Sequence, residues 1–209
     1  MLSKSLQRGV TLIEIMIGLV IIAILFGLAA NNYSDWIQNQ QIRTAAMSIE
    51  NGLQTARGEA VKLNGSVRFT LCDVANGLVT SSWEVLAASA VAVPAASVAC
   101  AKSTAVNPGE ILVQERSGQE GSRMAQVATN AAVPAVVASP IAADGSSTVT
   151  FNSYGRVVAN INGGAASIAV IEITTPTGTR PLWIEIGTGG NIRMCDPSPL
   201  LPANDPRRC

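Results

Sequence analysis

One stretch limits what this chain can become. From Val10 to Ala30 it reads VTLIEIMIGLVIIAILFGLAA, 21 residues in which only Thr11 and Glu14 are strongly polar. As a helix rising 1.5 Å per residue the run is about 31 Å long, enough to cross a bilayer core. The nine residues before it carry Lys4 and Arg8 and no acid, a charge bias that predicts a cytoplasmic N-terminus. A secretory signal cut after the small residues near Gly27–Ala29 accounts for such a run, and so does a plain single-span anchor. Neither needs Glu14. A carboxylate inside an apolar helix costs a few kcal/mol on insertion scales and usually marks a function.

Composition narrows the chemistry. The 209 residues contain no histidine, which excludes His-based triads, imidazole acid–base catalysis and His-ligated metals. Fourteen Lys and Arg balance fourteen Asp and Glu, so no global charge points to nucleic acid; without residues 1–9 the net charge is −2, from 12 basic and 14 acidic side chains. Cys72, Cys100, Cys195 and Cys209 lack C-x-x-C spacing, which argues against zinc and thioredoxin-type sites. Four cysteines in an exported chain favour two disulfides, with three connectivities possible. Pairing neighbours, Cys72–Cys100 and Cys195–Cys209, is the simplest. The carboxylates are scattered, and GTGG at 187–190 lacks the following helix that phosphate loops require. No catalytic residue, metal or cofactor is expected. Asp196 and Asp205 are read as residues that order turns.

The pattern of apolar residues predicts an α+β chain. Beyond Ala30 the helix becomes amphipathic, with Ile42, Ala45, Ile49, Leu53, Ala56, Ala60 and Leu63 forming one stripe and Asn64–Gly65 a stop. Arg43 and Arg57 fall on the polar face. Gly52 and Gly58 each weaken the helix by about 1 kcal/mol relative to Ala, so packing on a sheet must compensate. From Ser66 the period shortens to two. Strands are predicted over 66–71, 82–87, 110–115, 147–151, 156–161, 167–173, 181–186 and 191–194, with turns at NSYG (152–155) and TPTG (175–178). The stretches 86–108 and 125–146, rich in Ala, Val and Ser, fit loops or irregular strands.

Two sets of residues carry a resemblance. RGVTLIE, residues 8–14, resembles the class III signal of type IV pilins and type II secretion pseudopilins, with Val10 where Phe is usual. The helix WIQNQQIRTAAMSIENGLQTARGEAVKLN, the hairpin VTFNSYGRV and the ending NIRMCDPSPLLPANDPRRC resemble the GspH/FimT family of minor pilins and pseudopilins, closer to FimT/FimU at the C-terminus. The resemblance implies a type IV pilin-like fold, a long N-terminal helix packed on an antiparallel sheet. It divides the chain into a leader (1–9), an apolar helix (10–30), its amphipathic continuation (31–65) and a β-rich domain (66–209) with a disulfide-closed C-terminal loop. It further implies a prepilin peptidase that cuts between Gly9 and Val10 and methylates Val10. Helices would then assemble into a filament with other major and minor pilins, the Val10 amine of one subunit neutralising Glu14 of another.

Three functions follow. The leading expectation is a minor type IV pilin that helps to assemble or initiate the filament; a type II secretion pseudopilin is the alternative. The third is DNA binding in transformation, which the resemblance associates with a Gly-Arg-x-Arg motif. Here the matching stretch is Gly190-Asn191-Ile192-Arg193, one Arg short, with Arg180, Arg207 and Arg208 as further candidate contacts to double-stranded DNA, a weak set. The expected location is the bacterial inner membrane, as a single-pass protein with a periplasmic C-terminal domain, and then the pilus at the cell surface.

Overall fold

The computed structural model describes residues 10–72, 79–88, 110–135, 137, 139–160, 166–202 and 204–209. Helix α1, Leu12–Lys62, is continuous for 51 residues. The chain divides into two compact units, Met1–Ile37 and Gln38–Cys209, with α1 contributing to both.

In the first unit α1 starts at a cap. The Thr11 hydroxyl accepts the Glu14 backbone N–H at 3.4 Å, and the Glu14 carboxylate sits in the first turn, where the positive end of the helix dipole favours it. Leu12, Ile13, Ile15, Met16, Ile17, Leu19, Val20, Ile21, Ile22, Ile24 and Leu25 are each at least half exposed. This apolar surface does not amount to a membrane span. No helix among the described residues is long and apolar enough to cross a membrane, which overturns the expected single-pass inner-membrane placement.

In the second unit the predicted stripe is the core-facing edge of α1. Ile42, Ala45, Ala46, Ile49, Leu53, Ala56 and Ala60 are completely buried. Leu63 is exposed instead, because the helix has already ended. Asn64 takes the left-handed conformation (φ 49°) and the Gly65 N–H reaches back to the Ala60 carbonyl at 3.1 Å, closing the C-terminus as the Asn-Gly pair predicts.

Among the described residues ten strands follow: β1 Val67–Leu71, β2 Val79–Thr80, β3 Trp83–Ala88, β4 Glu110–Arg116, β5 Gln126–Asn130, β6 Thr148–Phe151, β7 Val157–Val158, β8 Val170–Thr174, β9 Leu182–Ile186 and β10 Ile192–Cys195. They form two sheets, ordered β4-β3-β1-β6-β7 and β10-β9-β8-β5-β2, with every strand pairing antiparallel, which gives the expected α+β layout of a long helix packed on antiparallel sheet. The stripe of α1 packs with Val67, Phe69, Leu71, Trp83, Val149 and Phe151 of the first sheet and Val127, Ile171, Ile173, Ile184 and Ile186 of the second, all in one cluster. Buried Trp83 donates its indole N–H to Ser48 on the helix at 2.8 Å and lies 5.8 Å, centroid to centroid, from Phe69.

Strand β8 is buried on both faces, which explains its near-continuous apolar run. Its outer neighbours form a second cluster of Ala128, Val170, Trp183, Cys195 and Ile141, flanked by Val137 and Cys209. Within this layer Glu172 is fully buried and its Oε2 accepts the Ile141 N–H at 2.7 Å. The stretch 125–146 is thus part strand, β5, and part irregular cover. Most of 86–108 lies outside the described residues.

Candidate functional site

The predicted assembly residues lie at the start of α1. Gly9 is outside the described residues. Val10 is 69% exposed, and Glu14 one turn later is also exposed. The T-x-x-E spacing of Thr11 and Glu14 is a helix-start signature that the sequence reading passed over. It gives Glu14 a local role beside the intermolecular one: in an isolated chain the N-terminus of the helix partly balances its charge. Farther along the first unit Tyr33 and Trp36 stack at 6.0 Å with their planes 23° apart, both mostly exposed.

The second candidate site is the C-terminal end. Cys195 at the end of β10 is disulfide-bonded to Cys209, 14 positions later. The loop between them is held by its own backbone: Asp196 N–H donates to Arg207 O at 2.6 Å, and Cys209 N–H to Asp196 O at 3.3 Å. Asp196 Oδ1 accepts the Ser198 N–H and Asp205 Oδ1 the Arg207 N–H, each at 2.9 Å, the turn-ordering roles expected of both carboxylates. Cys72 is also disulfide-bonded, while Cys100, its expected partner, lies outside the described residues.

The structure places the four candidate DNA-contacting arginines in two pairs. Arg193 donates to the Arg208 carbonyl at 3.1 Å and pairs with Glu185 across the β9–β10 register at 3.4 Å. Arg208 is turned inward, donating to Leu201 O at 3.3 Å. Arg207 grips Asp205 with two N–H groups, at 2.7 and 3.0 Å. These bonds hold the Asp205 carboxyl down at about 2 and raise the Arg207 guanidinium above its ordinary value. Arg180 is exposed and has no hydrogen-bond or ion-pair partner among the described residues. Arg180 and Arg207 line one groove of about 720 Å³ bounded by Thr179 and Pro181, by Val137 and Ser139, and by the terminal loop. Three of the four cations are therefore already engaged within the chain.

Other motifs resolve into structure. GTGG at 187–190 is the β9–β10 turn, with Gly190 at φ +82° and so close to the Gly155 carbonyl that a Cβ has no space. Arg57 donates to the same Gly155 carbonyl at 3.2 Å, so this residue of the polar helix face fastens the β6–β7 turn. Among the described residues one trio of potential metal ligands comes together, Glu185, Cys195 and Cys209, but the two sulfurs are bonded to each other and offer no thiolate.

A helix with a bare apolar N-terminal portion, whose later turns bury against antiparallel sheets, is the architecture of type IV pilin-like proteins. Residues 4–30 match the family described as prokaryotic N-terminal methylation motif, and residues 45–208 match the family described as type II transport protein GspH. The chain belongs to that GspH family of minor pilins and pseudopilins. No curated protein matches it. Two crystal structures of the type IV minor pilin FimU from Pseudomonas aeruginosa PAO1, each 14% identical, are similar with TM-scores of 0.42 and 0.43; they cover 73% and 80% of this chain and 90% and 91% of their own.

Proposed function

We propose that this protein is a minor subunit of a type IV pilus, joining the filament through the first half of α1. One observation carries the reading: eleven large apolar side chains between Leu12 and Leu25 stand exposed around the helix. At about 25 cal/mol per Å² such a surface is costly in water, and a helix apolar on all sides is stable only when surrounded. Like helices from neighbouring subunits supply that surround. In such a bundle an unpaired carboxylate is disfavoured, and the α-amine freed at Val10 by cleavage after Gly9 is a partner of the right charge.

The pilus is preferred for the C-terminal sequence MCDPSPLLPANDPRRC, which resembles FimT/FimU subunits. The second reading, a type II secretion pseudopilin, draws on the description of the GspH family. Glu14→Ala tests the shared core of both: the variant should keep its thermal unfolding midpoint yet be lost from sheared filaments. Its incorporation at wild-type levels would refute the charge-pairing account. Deleting the chain separates the machines, since a pilus subunit lowers surface piliation and a pseudopilin lowers export of folded proteins. Mass spectrometry of the mature protein should find an N-terminus at methylated Val10.

A further inference from the structure

The groove beside the C-terminal loop has the composition of a protein-binding site. Its walls include Val137, Pro181, Pro197, Pro199, Leu200 and Leu201, half of the residues that line it. Leu200 is 92% exposed, an apolar side chain held out at the rim by the loop that the Cys195–Cys209 disulfide closes. Arg180 stands in the same wall without a partner, whereas Arg207 is already neutralised by Asp205 and Asp196 adds a carboxylate. A volume of about 720 Å³ falls in the range of sites that bury a compact ligand, roughly 300–1,000 Å³.

We infer that this groove receives an extended segment of another protein that presents a carboxylate to Arg180 beside an apolar side chain packed on Leu200 and the prolines. Charge complementarity sets the first requirement: Arg180 is the one lining cation with nothing to neutralise it among the described residues, and a guanidinium takes a carboxylate in a planar two-bond fork. The apolar wall sets the second. A nucleic acid fits less well, because tracking a phosphate backbone takes several uncommitted cations and bases stack on aromatic rings, and no aromatic residue lines the groove. The inference does not depend on filament membership, since binding is read on the purified chain.

The test is a selection from a displayed library of random heptapeptides on the purified full chain. Enriched peptides are then synthesised and titrated against wild type, Arg180→Gln and Leu200→Ser. Arg180 has no hydrogen-bond or ion-pair partner among the described residues and Leu200 is almost fully exposed, so both variants should fold; the thermal unfolding midpoint checks this. The expected consensus places Asp or Glu within two positions of Leu, Ile or Phe. Arg180→Gln should weaken binding about tenfold, the worth of a charge-assisted bond at a rim, and raised salt should weaken wild type more than this variant. Leu200→Ser should weaken it several-fold with the salt dependence kept. Enriched peptides without an acid, equal binding by wild type and Arg180→Gln, or displacement of the peptides by an unrelated duplex oligonucleotide would each overturn the assignment. So would a selection that enriches nothing.

Discussion

Gly52 and Gly58 sit six residues apart on α1 and are predicted to respond in opposite directions to the same substitution. Replacing glycine by alanine within a helix contributes about 1 kcal/mol through the backbone entropy of the unfolded chain. At Gly58 the new methyl meets nothing within 4 Å, so that gain should appear in full. At Gly52 it lies 2.9 Å from Phe69 Cε2 and 2.9 Å from Trp83 Cε3, well inside ordinary contact. Neither ring can move freely: both are completely or almost completely buried, and Trp83 is tied to Ser48. Overpacking of this kind costs about 1–3 kcal/mol, which offsets or exceeds the helix gain. Gly58→Ala should therefore raise the unfolding midpoint by about 2–4 °C in a chain of this size, while Gly52→Ala leaves it unchanged or lowers it by up to about 8 °C. Thermal unfolding followed by far-UV circular dichroism measures both. If Gly52→Ala stabilises as much as Gly58→Ala, the close approach of helix and sheet at Phe69 and Trp83 is wrong.

Replacing Cys195 and Cys209 together by serine should destabilise the fold by about 3 kcal/mol, from the chain entropy released when this loop opens, seen as a lower urea midpoint and faster proteolysis within the loop. The Asp205–Arg207 clamp should be fully formed above the ordinary aspartate value of 3.8 and be lost as pH falls through about 2, because its carboxyl titrates lower folded than unfolded; amide exchange at Arg207 against pH follows it. Asn191→Arg completes the Gly-Arg-x-Arg spacing on an exposed position just before β10, two residues from Arg193. If phosphate contact is available there, duplex binding in a gel shift should gain one ion's worth of salt dependence, a slope change of about 0.9.

How much of this was readable depended on how local each interaction is. The α1 stripe and most strands follow from periodicity over a few residues, and Asn64 ends the helix through its own backbone conformation. The two-residue strand β2 carries no periodicity at all, and β5, QVATN, is hidden in a run of small residues. The division into two sheets is set by contacts far apart in the chain. Gln41 Oε1 accepts the Met124 N–H and Gln38 Oε1 the Thr177 N–H, joining residues 83 and 139 positions apart, and nothing near either glutamine announces this. The sites divide the same way. Glu14 stands out as the one acid in an apolar run, and Asp205 faces Arg207 two residues on. By contrast Glu185 meets Arg193 only through strand register, and nothing beside Arg193 in the sequence announces that pairing.

The small apolar layer outside β8 and β9 has a consequence for the order in which the chain matures. Its buried members run from Ala128 to Cys195, with Cys209 packed against them, so it forms only when segments far apart in the chain have met. Until those segments meet, Trp183 stays uncovered on that side. Trp183 is fully buried in this layer, so its emission is an optical readout of whether the layer has formed. Replacing Cys209 would then be felt at Trp183, 26 positions earlier in the chain, as well as at the surface of the terminal loop.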